Sequence, residues 1–282
     1  MLSEERLAAF ARDGFITDVP VLSATQVAAL NAELVELQEP DHAGAEYFYE
    51  YHRNESTEPG SVLFHALGAW RVRPAFHDLL WNPALRMASY QLLGGSVRFF
   101  HDQLFAKPAH HGGVVAWHQD YAYWTWTKPM AHLTCWMALD DVDSGNGCVH
   151  YIPGSHRWGL IDRPELAGDM DAIRGALDPE QLAGFERRVP VEMQAGRASF
   201  HHPLLLHGSY GNRSDRPRRA TLVNMLADGV RSNMTDWDAP GTKTYPHVAP
   251  GEPMGGTYYP LLMDADGDLA EFLRTVPTVQ PA

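Results

Sequence analysis

His118 and Asp120 are separated by one residue in the segment Trp117-His118-Gln119-Asp120. On extended backbone, side chains two positions apart leave the same face, so this imidazole and this carboxylate can grip one ion together. A second imidazole would complete a 2-His-1-carboxylate set, which holds three adjacent positions of octahedral iron(II) and leaves three for reactants. His207, ending the apolar run Pro203-Leu204-Leu205-Leu206, is the natural candidate. The same ligand types also suit zinc, and an HxD triplet alone arises readily in a chain with 15 histidines.

A basic residue behind such a centre would change its chemistry. Arg218 lies eleven positions after His207, beyond a turn built from Gly208, Gly211, Asn212, Ser214, Asp215 and Pro217. That turn can fold the chain back as a hairpin and bring a guanidinium near the metal, where it would clamp a carboxylate with two parallel hydrogen bonds. The plainer alternative is a surface arginine paired with Asp215. Arg216 and Arg219 are near neighbours, and Arg219 should face the opposite side of the strand from Arg218.

These residues need a scaffold. Ser3 can cap a first helix that Gly14 ends, after which 15–21 reads as extended. Ser23 with Gln26 forms a capping box for a helix over 24–38, with Val27, Leu30, Leu34 and Leu37 at helical spacing. Asn82 as cap and Pro83 at the first helical position open a third helix, closed by Gly94 and Gly95. From Ser96 the texture changes to short apolar runs broken by Gly, Pro, Asn and Asp, the pattern of an all-β sandwich or barrel. The predicted strands are 97–106, 132–140, 147–152, 197–206 and 218–226. Residues 160–190 look like an insertion with helical pieces such as 169–177, and insertions of this kind often serve as lids. The Pro/Gly-rich stretch near 239–256 reads as an ordered surface loop.

Composition narrows the function. The 282 residues, 45% hydrophobic and 20% charged, lie in the globular range. A single domain spanning 1–282 is expected, with N-terminal helices (about 1–95) flanking a β-core (about 96–230) that carries the lid-like insertion. The formal charge of -13 has the wrong sign for nucleic acid or an anionic membrane surface. No apolar run is long enough to span a bilayer, and a cytoplasmic location is the default expectation. The two cysteines, Cys135 and Cys148, are expected as buried free thiols.

At this point the chain closely resembles the phytanoyl-CoA dioxygenase family, which includes ectoine hydroxylase and several natural-product oxygenases. The resemblance runs through ARDGFITD, KPAHHGGVVAWHQD, CWMALDD, NGCVHYIPGSH and HHPLLLHGSYGNRSDRPRRA, in that order. It implies a mostly β fold with flanking helices, a double-stranded β-helix or jelly roll. It implies His118, Asp120 and His207 as ligands of Fe(II), with 2-oxoglutarate and O2 as co-substrates. Arg218 would hold the distal carboxylate of 2-oxoglutarate, assisted by the Ser209 hydroxyl, with Trp136 and Gln103 bordering the co-substrate. The chemistry implied is hydroxylation of a small molecule with release of succinate and CO2. Related halogenases replace the carboxylate ligand with a small residue, whereas Asp120 is present here. Desaturation, epoxidation and cyclisation use the same ligand set.

Other residues have two readings each. Tyr121, Tyr123 and Trp124 follow the metal dyad and can stack on substrate or simply pack in the core. Trp124 is the favoured substrate contact, because ectoine hydroxylase-like chains place a substrate-facing aromatic four residues past the carboxylate. His110 and His111 read as an entrance loop, His156 as a turn residue, and one of His201 and His202 as facing the pocket. Lys107 and Arg157 are possible partners of an anionic substrate group. No basic cluster suits a CoA moiety, so an amino acid, osmolyte or secondary metabolite is expected. The competing functions are a non-catalytic jelly-roll sensor and a zinc hydrolase using the same three ligands.

Overall fold

The computed structural model describes residues 1–39, 41–162, 167–235 and 245–264. The chain opens with α1 (Glu4–Asp13), β1 (Phe15–Pro20) and α2 (Ala24–Leu37), then β2 (Glu50–His52), β3 (Phe64–Leu67), α3 (Pro74–Leu79) and α4 (Pro83–Leu93). The β-rich part follows as β4 (Val97–Lys107), β5 (Val115–His118), β6 (Thr127–Lys128), β7 (His132–Ala138), β8 (Val149–Tyr151), α5 (Pro179–Phe185), β9 (Val189–Pro190) and β10 (Arg197–His201). It closes with β11 (His207–Ser209), β12 (Arg218–Ala227), β13 (Arg231–Ser232) and β14 (Leu261–Met263).

The helices begin and end where their caps require. Ser3 accepts from the Arg6 N–H, and Gly14, at φ +84°, donates to the Phe10 carbonyl in the left-handed conformation that glycine tolerates best. The Ser23–Gln26 capping box opens α2, and Asn82 accepts from Ala84 and Leu85 at the start of α4. One expectation fails locally. Over 169–177 there is only a 3-10 turn at Ala172–Ala176, whereas the following Asp178-Pro179-Glu180-Gln181 carries a full capping box and starts α5.

Eight strands form the larger antiparallel sheet in the order β1-β10-β7-β12-β4-β3-β2, with β14 also on β4. The smaller sheet runs β5-β11-β8-β9, and β6 pairs with β13. Together they make the expected jelly roll, mostly β with a few flanking helices. The core is wider than 96–230, because β1, β2, β3 and β14 all join the larger sheet from outside that span. The predicted strands 132–140, 147–152 and 197–206 are shorter in the structure. In the last case Pro203, with no N–H to give a ladder, lies in a turn between β10 and β11.

Period-two alternation divides the larger sheet into two faces. Leu133, Cys135 and Met137 pack outward with Leu30, Leu34 and Leu85 of the helices, together with Phe99, Phe200 and Val223. Thr134 and Trp136 therefore face inward, toward the smaller sheet. The described part of residues 160–190 packs Ile161, Ile173, Leu177 and Phe185 against Trp117, Ile152 and Leu206. Trp117 alternates with His118, so this cluster covers the outer face of the smaller sheet. Residues 163–166, and the 239–244 part of the Pro/Gly-rich stretch, lie outside the described residues. Cys135 and Cys148 are buried and unpaired, and no helix among the described residues is long and apolar enough to cross a membrane.

Candidate active site

The two imidazoles meet because β5 and β11 are antiparallel neighbours with His118 directly opposite His207. Gln119 remains extended at φ -114° and ψ 133°, so Asp120 returns to the His118 side even though it begins a 3-10 turn. Gln119 itself points the other way, where its amide donates to the Gly159 and Leu204 carbonyls and accepts from the Ile161 N–H. That anchoring fixes the dyad from behind. The Nε2 atoms of His118 and His207 each lie 3.5 Å from Asp120 Oδ1, and one ligand atom from each residue falls within 4.8 Å of the others.

The surroundings suit a divalent ion. His118 Nδ1 lies 2.7 Å from the Ala116 carbonyl and His207 Nδ1 lies 2.9 Å from that of Leu205, so both imidazoles carry their proton on Nδ1 and present a bare Nε2 to the centre. Burial, reinforced by His118, lowers the His207 pKa well below its usual value and keeps the ring neutral. Burial alone would raise the Asp120 carboxyl, but the imidazoles gathered around it, with His201 donating to it, hold it well below its ordinary value. Its second oxygen, Oδ2, accepts from Thr134 Oγ1 at 2.6 Å and His201 Nε2 at 3.0 Å, which leaves Oδ1 for the ion. Two neutral nitrogens and one ionised oxygen on one side of a cavity are a facial donor set.

The cavity continues to a buried guanidinium. Arg218 is 1% exposed and lies on the inward face of β12. Its Nε donates to the Gly147 carbonyl at 3.0 Å, its Nη2 donates to Ser209 Oγ at 3.1 Å, and its carbon sits 5.3 Å over the Trp136 ring. Nη1 is buried without a partner among the described residues. Lys107, opposite Arg218 on β4, donates from Nζ to Ser209 Oγ at 2.7 Å, the Ser209 carbonyl at 3.2 Å and the Tyr210 carbonyl at 2.7 Å. Ser209 Oγ thus accepts twice, and its own hydrogen is left for an acceptor in the cavity. Burial brings Arg218 down to about 10, and burial with repulsion from Arg218 drives Lys107 well below its ordinary value. A buried guanidinium and the Lys107 amine beside it, with no carboxylate among their hydrogen-bond partners in the described residues, suit a bound carboxylate.

Residues 10–220 match the family model for phytanoyl-CoA dioxygenase (PhyH). The chain belongs to the phytanoyl-CoA dioxygenase family. An ectoine dioxygenase of Bordetella parapertussis is 30% identical over 231 residues, covering 77% of this chain and 73% of that protein. An L-proline trans-4-hydroxylase of Streptomyces griseoviridis is 31% identical over 189 residues, 58% of this chain and 70% of the relative. A probable phytanoyl-CoA dioxygenase of Caenorhabditis elegans, 30% identical over 176 residues, is matched over 52% of its own length. Among solved structures, the S. alaskensis protein EctD with 2-oxoglutarate and 5-hydroxyectoine superposes with a TM-score of 0.65 at 28% identity, covering 82% of this chain and 78% of its own. The epimerase SnoN, in complex with Fe3+, alpha ketoglutarate and nogalamycin RO, gives 0.75 at 25% identity, covering 92% and 98%.

Within this phytanoyl-CoA dioxygenase scaffold, His118, Asp120, His207, Ser209, Arg218, Trp136, Gln103, Tyr123 and Trp124 all line one cavity. Tyr121 does not join them. Its hydroxyl donates to the Thr127 carbonyl and its ring packs near His132, because the 3-10 turn rotates it away from the centre. Arg219 faces the other side of β12 and pairs with Asp140 at 2.6 Å. His156 lies against His202 at the surface of a turn, Arg157 donates to the Arg12 carbonyl, and neither lines the cavity. His110 and His111 also stay outside it. Lys107 is buried behind Ser209, not presented to substrate.

Four contributors carried weaker signals in the sequence. Thr134 on β7 and, much further along the chain, His201 on β10 hold Asp120. Glu50 and His65 reach the cavity wall only because β2 and β3 extend the larger sheet past β4. Glu55 pairs with His65 Nδ1 at 2.7 Å, and His65 Nε2 lies 3.4 Å from Gln103 Oε1. Gln103 is therefore oriented from behind.

Proposed function

We propose that this protein is an iron(II)- and 2-oxoglutarate-dependent dioxygenase that hydroxylates a small organic molecule, with His118, Asp120 and His207 as iron ligands and Arg218 with Ser209 holding the co-substrate's distal carboxylate. The observation that carries the reading is the pairing, in one cavity, of a facial His-Asp-His donor set with a buried arginine nitrogen that lacks a partner among the described residues. When bound, iron(II) with 2-oxoglutarate and O2 supplies the oxidising power for C–H hydroxylation, with succinate and CO2 as by-products.

The residues supply position. Arg218 Nη1 and the Ser209 hydroxyl give a carboxylate two donors from one side, and the Trp136 ring beneath the guanidinium keeps that plane fixed. Val115, Val149 and Leu222 line the same stretch and exclude water from it. His118 and His207 hold their protons on Nδ1 against backbone carbonyls, so neither ring donates into the centre. The names of the relatives, ectoine dioxygenase and L-proline trans-4-hydroxylase, support a small organic substrate.

The test is a succinate assay on purified protein with iron(II), 2-oxoglutarate and oxygen. Succinate should form slowly without a prime substrate, and Asp120→Ala should abolish it. Unchanged succinate formation in that variant removes Asp120 from the centre. Turnover of an ester or amide supported by zinc and indifferent to 2-oxoglutarate would replace the oxygenase reading with a hydrolase.

A further inference from the structure

The charges along the cavity wall are segregated. At one end lie Arg218 and, behind Ser209, Lys107; in the middle, Asp120 is committed to the two imidazoles and to Thr134 and His201. At the other end the wall carries a second carboxylate, Glu50, in the edge strand β2. Register explains how it gets there. Trp136 pairs with Leu222, Leu222 with Gln103, and Glu50 with Leu67. Because Ala66 pairs with Leu104, Leu67 falls beside Gln103. Trp136, Leu222, Gln103, Leu67 and Glu50 therefore form one row across the inner face, and all five line the cavity.

Glu50 is half-buried and poorly partnered. Among the described residues its nearest cation is His52, with Nε2 at 3.9 Å, beyond hydrogen-bond reach. His65 faces the same stretch but is held by Glu55 at 2.7 Å. Burial pushes the Glu50 carboxyl up, with Glu55 adding to that push and His65 and His52 opposing it. Tyr123, Trp124 and Tyr245 line the same cavity, with Tyr123 edge-on to His118 at 5.9 Å. Tyr245 stacks on Tyr49 at 5.5 Å, and its phenol is raised well above the ordinary value by burial, with the Glu50 charge as the next contributor. Glu50 and Tyr245 thus share one field.

We infer that the prime substrate carries a cationic nitrogen, seated between the Glu50 carboxylate and the rings of Tyr123, Trp124 and Tyr245. This rests on the oxygenase reading and deepens it. A carboxylate with no hydrogen-bond donor among the described residues, sharing a partly desolvated cavity with aromatic rings, is the chemistry that recognises an ammonium or quaternary ammonium group. The polarity also orients both ligands. The doubly anionic co-substrate is drawn to Arg218 and repelled by Glu50, while a cation is repelled by Arg218 and lodges at the opposite end, away from the metal.

The experiment uses matched probes on the protein loaded with iron(II) and 2-oxoglutarate under anaerobic conditions. Calorimetric titration compares choline with its neutral carbon isostere 3,3-dimethylbutan-1-ol, and 2-phenylethylammonium with 2-phenylethanol. At least one cation should bind five-fold or more tightly than its neutral partner. Glu50→Gln should erase that preference while keeping the affinity for the neutral probe, which shows that the pocket is intact. Glu50→Lys should favour 3-phenylpropanoate over 2-phenylethylammonium. Equal affinities within both pairs, no binding by any of the probes, or a cation preference that survives Glu50→Gln, would overturn the inference. A parallel titration of the iron-loaded wild type with 2-oxoglutarate separates the two levels. If the co-substrate binds and the cation preference is absent, the substrate class is wrong; if the co-substrate fails to bind, the oxygenase reading itself falls.

Discussion

His201 donates from Nε2 to Oδ2 of Asp120 across 3.0 Å, although 80 residues of chain lie between them. The bond sits in a directed chain. With Nε2 protonated, Nδ1 accepts from the Tyr151 hydroxyl at 3.0 Å, and the Tyr151 oxygen in turn lies 2.7 Å from Ser199 Oγ. Tyr151, His201 and Ser199 are all buried. Together with Thr134 they hold the carboxylate of Asp120 so that a single oxygen faces the imidazoles.

His201→Ala should accordingly weaken iron(II) binding by about 10–100-fold, the usual effect of removing a group that orients a metal ligand. A competition titration against a chelator measures it. His201→Gln, whose amide can donate to Oδ2, should recover part of the loss. Lost stability alone would lower the melting temperature of both variants without separating their metal affinities. Equal iron affinity in wild type and His201→Ala would show that Thr134 suffices.

Arg218→Lys tests the guanidinium. Lysine keeps the charge but cannot give a planar pair of donors, and it abandons the Gly147 carbonyl and the Trp136 face. Loss of one charge-assisted hydrogen bond, about 1.5–3 kcal/mol, corresponds to a rise in KM for 2-oxoglutarate of roughly 10–100-fold. The prime substrate's affinity should change far less. A KM for 2-oxoglutarate within a factor of two of wild type would place the co-substrate elsewhere.

The parts of this site that were legible in the sequence share a physical feature: their geometry is local. His118 and Asp120 are two apart on extended backbone, and Gln119 in between is buried by its own bonds. Arg218 and Arg219 alternate as β-strand neighbours must, one into the cavity and one onto Asp140. Helix caps at Ser3, Ser23 and Asn82 likewise act within a few residues. What stayed hidden depends on register between distant strands. Nothing near Glu50 says that β2 will extend the sheet beyond β4, and nothing near His201 says that its Nε2 will meet a residue just past the end of β5 in the other sheet. Tyr121 takes the core-packing alternative for a related reason, since the alternation that holds through Asp120 gives way to a 3-10 turn immediately after it.

The Glu55–His65 pair predicts a particular acid sensitivity. Burial raises the Glu55 carboxyl, but the hydrogen bond and charge of His65 outweigh that and bring it below its ordinary value of 4.5. A carboxyl depressed on folding contributes stability above its unfolded pKa and loses that contribution as pH falls through the folded one. Wild type should therefore lose stability as pH drops below about 4.5. Glu55→Gln should start less stable at neutral pH and show a shallower decline over that window. Denaturant midpoints at a series of pH values check this, and parallel curves for the two proteins would rule the pair out as a source of the acid response.

Gly147 sets a steric limit on the same guanidinium. Its φ is +80°, and a Cβ built there would lie 2.5 Å from the Tyr210 carbonyl oxygen, a contact with backbone that cannot rotate away. Its own carbonyl is the acceptor for Arg218 Nε. Gly147→Ala must therefore take up a left-handed conformation, at about 1–2 kcal/mol, and also push apart the strand ends that carry Gly147 and Tyr210. Tyr210 and Ser209 both accept from Lys107, so the displacement reaches both basic side chains. The variant should melt several degrees lower and bind 2-oxoglutarate more weakly, while iron(II) affinity, which the proposed function assigns to His118, Asp120 and His207 further along the cavity, should change little. Calorimetric titrations with the metal and with the co-substrate distinguish these effects. Parallel losses of both affinities would mean that the whole smaller sheet had shifted and that the clamp is not held independently of the metal centre.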